Sequence, residues 1–236
     1  KTAYEIVSRD WSSDVCSSDL KIFLNPGHSL NGNPDPGALD VYYGQRECDV
    51  AAGIAANCAF VLESLGYDKV QILQSNNLRG EAPGQPNVTA RANSWDADIF
   101  VSIHANACSE HMARGCETYY CTGSDWGFLI AQYVQAELYR SVNNVAPSFP
   151  NRGVKPASNL AVLRWTRMPA ILVETAFIDE ENDALLLQDY QGVFGYGIAN
   201  GLHRFLTDYK RPEDDVLANH IIEDQGCDTF FPPLYY

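Results

Sequence analysis

Four ionisable side chains in this sequence are of types that can hold a metal ion and move a proton. His28 follows a Pro-Gly pair, Glu47 opens an apolar stretch with helical spacing, and His104 ends an apolar run. Glu174 lies inside the most apolar segment of the chain. Two histidines and one glutamate are a sufficient ligand set for catalytic zinc, which leaves a fourth position for water. A further glutamate outside that set is what a zinc hydrolase needs as its base.

Each of these residues also has an ordinary structural interpretation. A lone histidine such as His28 is more often a surface residue than a ligand, and an acid such as Glu47 in the first helical turn complements the helix dipole. Glu47 nevertheless falls on the inward stripe of its predicted helix, and Glu174 is surrounded in sequence by Ile, Leu, Val and Phe. A carboxylate in such a position is costly unless it has a partner or a task. The residues lie far apart and no HExxH motif is present, so their spacing leaves both interpretations open.

The elements that must position these residues alternate between strand and helix. The sequence predicts strands at residues 21–25, 70–73, 99–104, 115–121, 160–163 and 171–175. It predicts helices at residues 47–65, 89–95, 125–142, 180–187 and 191–206, and loops at residues 75–87 and 143–159. This alternation predicts a single layered α/β domain with a mostly parallel, twisted sheet of about six strands and helices on both faces. The carboxyl ends of parallel strands meet in one crevice, which would bring the strand-end histidines and Glu174 together.

Glycines recur in the last predicted helix, at positions 192, 195, 197 and 201. Each of them lowers helix stability relative to alanine. We therefore expect them to mark close packing of this helix against the sheet.

The two ends of the chain differ from its middle. The first twenty residues, KTAYEIVSRDWSSDVCSSDL, resemble the translation of a sequencing index primer. We therefore expect residues 1–20 to be a non-native, unstructured segment that packs against nothing, with any signal sequence lost upstream. The domain would then comprise residues 21–206. Residues 207–236 are acidic and then rich in aromatic side chains, and their pattern gives no assignment.

The composition excludes several functional classes. Acidic residues outnumber basic ones by 30 to 16 in 236 residues, which gives a net charge of −14 and argues against a nucleic-acid partner. No run of about 18 apolar residues is present, so we expect no transmembrane segment. The seven cysteines are too few for a disulfide scaffold.

Residues 21–206 resemble the zinc-dependent N-acetylmuramoyl-L-alanine amidases, the cell-wall hydrolases often called amidase type 3. The resemblance rests, besides Glu47 at a helix start, on NPGHSLNGNPDPGALD (25–40), ADIFVSIHANA (97–107), ARGCETYY (113–120), NRGVKPASNLAVLR (151–164) and MPAILVETAFI (168–178). It implies zinc ligands at His28, Glu47 and His104 and a catalytic glutamate at Glu174. It also implies hydrolysis of the amide between N-acetylmuramic acid and the L-alanine of the peptidoglycan stem peptide.

The same resemblance implies further properties. Asp35, Arg91 and Asn106 are candidates for contacts with the substrate or with the ligands, although each has an equally ordinary structural interpretation. We expect a secreted, extracytoplasmic, monomeric enzyme whose partner is peptidoglycan. Some members of the family carry a long inhibitory insertion after the fourth strand, whereas here only Thr122-Gly123 precedes the helix cap. The resemblance therefore implies a site without a built-in plug.

The chain departs from the family pattern in small ways. Asn25 stands where an aspartate is frequent, Ser29-Leu30 replaces a Gly-Gly pair, and residues 179–181 are acidic where an asparagine is frequent. None of these positions is a ligand in the family pattern, so activity remains our expectation.

The sequence leaves two alternative functions open. A zinc carboxypeptidase-like hydrolase that acts on the stem peptide would share a metal site with a glutamate base. A catalytically inactive wall-binding module would not need all four of the residues that are present.

The remaining histidines and cysteines have no assigned chemistry. We expect His111, His203 and His220 to be surface or packing residues. Cys48 and Cys58 lie ten positions apart on one predicted helix and cannot form a disulfide. Cys108 and Cys116 flank the short connection between two predicted strands. The sequence leaves three alternatives for them: a disulfide, free thiols, or a second metal site with Cys121.

Overall fold

The computed structural model describes residues 19–208 of the chain. The strands are β1 (Lys21–Pro26), β2 (Lys69–Ile72), β3 (Ile99–Asn106), β4 (Cys116–Cys121), β5 (Asn151–Ala157) and β6 (Ala170–Phe177). The helices are α1 (Glu47–Ser64), α2 (Val88–Trp95), α3 (Asp125–Val145), α4 (Ala161–Trp165), α5 (Glu181–Asp189) and α6 (Gln191–Asp208). The strands form one sheet in the order β2-β1-β3-β6-β4-β5.

The sheet is mostly parallel, as the sequence predicts. Strands β2, β1, β3 and β6 run in the same direction, whereas β4 is antiparallel to β6 and parallel to β5. The C-terminal ends of β1, β3 and β6 therefore lie at the same edge of the sheet as the N-terminal ends of β4 and β5. This edge is called the upper edge below.

Helices cover both faces of the sheet because the strand side chains alternate between the faces. Ile22 and Leu24 of β1 pack in the larger core cluster with α1, α3 and α6, while Phe23 packs in a second cluster with α2 and α4. The prediction of helices on both faces is thus confirmed.

The glycines of α6 at positions 195, 197 and 201 serve helix packing and not sheet packing, which corrects the prediction. A Cβ atom on Gly201 would lie 2.4 Å from the Cα atom of Val134 in α3, and one on Gly195 would lie 2.8 Å from the backbone nitrogen of Cys58 in α1. Helix α6 can therefore approach its two neighbouring helices closely only because these positions lack side chains.

Two predictions about residues 143–163 are wrong. Residues 151–157, predicted as loop, form edge strand β5, whose Gly153, Pro156 and polar side chains hide the alternation typical of a strand. Residues 160–163, predicted as strand, belong mainly to helix α4, in which Val162 and Leu163 are buried. A short apolar run does not distinguish a strand from one buried helical turn.

The start of the described chain also differs from the prediction. Leu20 is buried in the larger core cluster on the same face as Ile22, so the expectation that residues 1–20 pack against nothing is wrong at this position. Asp19 forms an ion pair of 3.0 Å with Lys69. An apolar residue two positions before Ile22 continues the inward face of β1, which explains the burial. Residues 1–18 and 209–236 lie outside the described part, including nearly all of the unassigned C-terminal segment.

The length and hydropathy of the helices bear on membrane insertion. Between residues 19 and 208, no helix combines the length and the apolar character that crossing a membrane requires.

Candidate metal centre and active site

Three of the predicted site residues converge at the upper edge of the sheet. His28 follows β1, Glu47 is the first residue of α1, and His104 lies near the end of β3. The Nε2 atom of His28 lies 2.9 Å from Oε2 of Glu47, and Nδ1 of His104 lies 2.9 Å from Oε1 of the same carboxylate. Their candidate ligand atoms lie within 4.8 Å of one another. These residues are called the ligand cluster below.

Glycines allow the backbone to approach the ligand cluster closely. A Cβ atom on Gly27 would lie 2.3 Å from Cε1 of His104. A Cβ atom on Gly37 would lie 2.6 Å from Oε2 of Glu47, and the φ angle of +72° at Gly37 also favours glycine. The space around the cluster is therefore shaped by backbone, and a methyl group at either position would fill it.

Contacts within the ligand cluster favour the charged forms of Glu47 and His28. Glu47 is almost fully buried and also accepts hydrogen bonds from the backbone nitrogens of Ala38 and Ala105, at 2.8 and 3.2 Å. Burial favours its neutral form, but the hydrogen bonds from His104 and His28 outweigh burial and lower the pKa of Glu47. Burial opposes the charge on His28, but Glu47 and Asp35 raise its pKa to about 9.

The donor set fits a divalent metal ion. Two imidazoles and one carboxylate aimed at a common point form a ligand set of catalytic zinc sites. Within residues 19–208, the ligand cluster is the only group of three or more His, Cys, Asp or Glu side chains close enough to share an ion. A cation there would offset the buried negative charge of Glu47.

Further residues orient the two histidines. Asp35 accepts a hydrogen bond of 2.9 Å from Nδ1 of His28, so this predicted candidate contacts a ligand. On the other histidine, Nε2 lies 3.2 Å from the hydroxyl of Ser102, which in turn donates to Oδ1 of Asn25 at 3.0 Å. Ser102 and Asn25 are fully buried. The sequence analysis did not single out Ser102, although a lone hydroxyl within an apolar strand was the available signal.

Glu174 lies beside the ligand cluster. It stands opposite His104 in the register of β3 and β6, and residues that oppose each other in neighbouring strands face the same side of the sheet. Its Oε2 atom is buried and has no hydrogen-bond partner among residues 19–208. Burial raises the pKa of Glu174 to about 7, with Glu47 and Glu117 adding to the shift and the His104 charge opposing it. This carboxyl group can therefore both accept and release a proton near neutral pH.

A second charged cluster, missed by the sequence analysis, adjoins Glu174. Glu117 of β4 is 2% exposed and stands opposite Glu174 in the antiparallel register. Its carboxylate accepts hydrogen bonds from Nε of Arg152 at 2.7 Å, from Nζ of Lys155 and from the Tyr119 hydroxyl at 2.7 Å. Residues Glu117, Tyr119, Arg152 and Lys155 are called the Glu117 cluster below. The signal that could have revealed it was an acid at the start of an otherwise uncharged strand.

Asn106 and Arg91, the other two candidates for contacts with the substrate or with the ligands, differ in position. Asn106 donates from Nδ2 to Oε1 of Glu117 at 3.0 Å and so contacts the Glu117 cluster. Arg91 is exposed on α2 and lines a shallow surface depression with Gln71, Ser94 and Trp95. The structure thus brings Asp35 and Asn106 to the upper edge, whereas Arg91 lies beside strand β2 at the outer side of the sheet.

The remaining histidines and cysteines have structural partners. Nδ1 of His111 lies 2.9 Å from Asp179, and Nδ1 of His203 lies 3.0 Å from the Tyr67 hydroxyl. His220 lies outside the described residues. Cys108 and Cys116 are both free thiols, so no disulfide closes the connection between β3 and β4.

The short link after β4 agrees with the sequence. Residues 122–124 connect β4 to α3. Ser124 caps this helix by accepting a hydrogen bond from the backbone nitrogen of Gly127 at 3.1 Å. The cap explains why the helix begins so soon after the strand.

Comparison with known proteins gives a consistent result. The family model described as N-acetylmuramoyl-L-alanine amidase matches residues 22–204. The N-acetylmuramoyl-L-alanine amidase LytC of Bacillus subtilis is 33% identical over 196 residues, which are 80% of this chain and 35% of LytC. The amidase CwlM of Bacillus licheniformis is 34% identical over 190 residues, 78% of this chain and 68% of CwlM. The chain thus spans about a third of LytC and about two thirds of CwlM.

A solved structure is similar as well. The N-acetylmuramoyl-L-alanine amidase AmiC2 of Nostoc punctiforme superposes with a TM-score of 0.64 at 29% identity. The match covers 80% of this chain and 97% of the AmiC2 chain. The residues matched by the family model, 22–204, include every residue of the two clusters.

Proposed function

Because the chain belongs to the N-acetylmuramoyl-L-alanine amidase family, we propose that it hydrolyses the amide bond between N-acetylmuramic acid and L-alanine in peptidoglycan. The observation that carries this proposal is the convergence of His28, Glu47 and His104 beside Glu174, whose Oε2 atom is buried and has no hydrogen-bond partner among the described residues. A metal-ligand set next to a carboxyl group whose pKa lies near neutrality is an arrangement that can hydrolyse an unactivated amide.

In this proposal His28, Glu47 and His104 hold a zinc ion. The donor types and the close approach of Gly27 and Gly37 support the assignment. When bound, zinc polarises the substrate carbonyl and makes water a better nucleophile at neutral pH. Asp35 keeps the Nδ1 atom of His28 in its protonated form, so Nε2 of that ring is the atom available as a ligand.

Glu174 moves the proton. Its carboxylate accepts a proton from the attacking water and then delivers it to the nitrogen of the departing L-alanine. The same group can serve both steps because burial raises the pKa of Glu174 to about 7.

The substrate class determines where such an enzyme acts. Peptidoglycan lies outside the cytoplasmic membrane, so the proposal includes extracytoplasmic action by a secreted, monomeric protein. This part of the proposal rests on the family alone.

Product analysis distinguishes the amidase from its alternatives. The zinc-loaded protein and its Glu174→Gln variant are incubated with purified muropeptides, and the products are identified by mass spectrometry. We expect the protein to release the intact stem peptide beginning with L-alanine, and the variant to release little. A shortened peptide that remains attached to the sugar would indicate a carboxypeptidase. Tight retention on cell walls with equal, negligible turnover by both proteins would indicate a binding module.

A further inference from the structure

The Glu117 cluster carries more positive charge than its buried carboxylate needs. Arg152 and Lys155 together carry two positive charges, and Glu117 carries one negative charge. Burial favours the neutral form of Glu117, but hydrogen bonds from Lys155, Tyr119 and Arg152 outweigh it and lower its pKa. The cluster is therefore ionised and has a net charge of +1 in a chain whose net charge is −14. The proposed proton transfer by Glu174 does not use this charge.

Both cations contact an aromatic ring on one side and are exposed to solvent on another. The guanidinium carbon of Arg152 lies 4.9 Å from the ring centre of Phe177, and Nζ of Lys155 lies 5.8 Å from that of Tyr119. The side chains remain 34% and 36% exposed, respectively. A guanidinium has five N–H donors and an ammonium has three, so hydrogen-bond capacity remains on the exposed side. Ordered cations with spare donors are suited to bind an anion without a large entropic cost.

We propose that Arg152 and Lys155, held by Glu117, form a subsite for a carboxylate of the stem peptide. The proposal rests on the amidase function proposed above and deepens it by naming the part of the substrate that this edge of the sheet recognises. The chemical class of the ligand is a peptide carboxylate on the leaving-group side of the scissile amide.

The position of Glu174 determines which part of the substrate lies over the Glu117 cluster. Glu174 on β6 lies between His104 on β3 and Glu117 on β4. The group that protonates the departing nitrogen must lie on the side of the peptide, because the peptide carries that nitrogen. The peptide should therefore extend from the ligand cluster across β4 toward β5, where Arg152 and Lys155 lie.

The charge on the opposite side supports the same orientation. The segment between His28 and Glu47 contains the partly exposed Asp35 and exposes Val41 and Tyr42. Anionic and apolar groups there would not favour a carboxylate. The N-acetylated glycan is uncharged where its lactyl group forms the amide, whereas the stem peptide carries carboxylates.

The distances are compatible with the second residue of the peptide. Neighbouring strands lie about 4.8 Å apart, so β5 is roughly 10 Å from β6. Two extended residues span about 7 Å. The long side chains of Arg152 and Lys155 can cover the difference, so we assign the subsite to a carboxylate on the second residue after the scissile bond.

The test compares two substrates that differ only in this group. They are N-acetylmuramoyl-L-alanyl-D-glutamate and the same compound with a carboxamide in place of the α-carboxylate. We expect the zinc-loaded protein to cleave the acid with a kcat/KM roughly tenfold or more above that for the amide, because a charged hydrogen bond is lost in the amide. In Arg152→Gln and Lys155→Gln, kcat/KM for the acid should fall toward the value for the amide, while that for the amide stays within about twofold.

Three further variants separate recognition from folding. Arg152→Lys keeps the charge and should retain part of the preference for the acid. The double variant Glu117→Gln with Arg152→Gln removes the buried carboxylate together with one cation, so it leaves no unpaired buried charge if a single variant fails to fold. It should lose the preference and keep its zinc content. Arg79→Gln removes an exposed arginine that lies over Trp165 and should leave kcat/KM unchanged for both substrates.

The outcomes distinguish this proposal from the proposed function. Equal kcat/KM for acid and amide in the wild-type protein would overturn the subsite and leave the amidase function intact, as would an equal loss on both substrates in Arg152→Gln. If neither compound were cleaved, the amidase function would fail for these substrates, and binding of the dipeptides L-alanyl-D-glutamate and L-alanyl-D-isoglutamine would then be measured by calorimetry. Tighter binding of the acid that disappears in Arg152→Gln would still support the subsite, and equal binding would overturn it.

Discussion

Glu174 stands directly opposite His104 in the parallel register of β3 and β6, so the proposed proton acceptor and a proposed metal ligand face the same side of the sheet. On its other side, Glu174 stands opposite Glu117 across the antiparallel pair of β6 and β4. Glu174 thus lies between the ligand cluster and the Glu117 cluster. Reversal of strand direction at β4 brings the start of that strand to the edge where β6 ends.

We predict that the protein binds about one zinc ion per chain through the ligand cluster. Zinc should raise the midpoint of thermal unfolding, since it binds the folded protein preferentially. A chelator should abolish activity, and added zinc should restore it. Elemental analysis of the wild-type protein and of a variant with His28 and His104 both replaced by alanine measures the stoichiometry. Equal zinc retention by the two proteins would contradict the assignment.

Glu47 and Glu174 should fail in different ways when they are replaced. Glu47→Ala removes a ligand and should lose zinc and activity together. Glu174→Gln keeps the shape of the side chain and should retain zinc, while kcat falls by about 10²–10⁴-fold or more. Zinc content and single-turnover rates on muropeptides measure both effects. A Glu174→Gln variant with more than roughly a tenth of the wild-type rate would show that another group is the base.

Ser102→Ala should weaken zinc binding without abolishing catalysis. The Ser102 hydroxyl lies 3.2 Å from Nε2 of His104 and donates to Asn25, so its loss leaves that ring less firmly oriented. Changes of this kind typically lower metal affinity by about 10–100-fold. Competition with a fluorescent chelator measures the affinity, and activity at saturating zinc should stay close to that of the wild type. Unchanged zinc affinity would mean that β3 alone orients His104.

Gly27→Ala should disrupt the ligand cluster. Its methyl group would lie 2.3 Å from Cε1 of His104, so the imidazole or the backbone must move. We expect loss of zinc and of activity, measured on purified protein. Gly192→Ala is the matched control, because a Cβ atom there meets only Asn57 at 3.6 Å and has room. Zinc binding by Gly27→Ala at wild-type affinity would show that the histidine is not confined by the backbone.

The contribution of Glu117 to stability should depend on pH. Hydrogen bonds from Lys155, Tyr119 and Arg152 outweigh burial and lower the pKa of Glu117, so its ionised form favours folding above the ordinary glutamate pKa of about 4.3. This stabilisation is lost as pH falls through the folded-state pKa. The difference in unfolding free energy between wild type and Glu117→Gln should therefore shrink on acidification. Denaturant titrations between neutral and acidic pH measure it, and a constant difference would contradict the prediction.

Particular residues illustrate how much of this protein follows from sequence. The apolar runs before His28 and around Glu174 are long enough to indicate strands, and the stripe that begins at Glu47 indicates a helix. Strand β5 could not be predicted, because an edge strand needs no apolar alternation and Gly153 and Pro156 suggest a turn. The resemblance of residues 1–20 to a translated sequencing primer predicts that Leu20 lies outside the domain, yet its position two residues before Ile22 places it in the core.

The sequence by itself determined most of the element types, the mostly parallel sheet and the residues able to bind a metal, because periodicity and residue chemistry are local properties. Only the tertiary structure decided that Glu117, Arg152 and Lys155 adjoin Glu174. That contact depends on β4 running antiparallel to β6. The residues of a single strand do not determine the direction in which it runs relative to its neighbour. The contact of Asp35 with His28 likewise depends on how the chain folds back after β1, because a hydrogen bond across seven residues follows from the path of the loop and not from residue type.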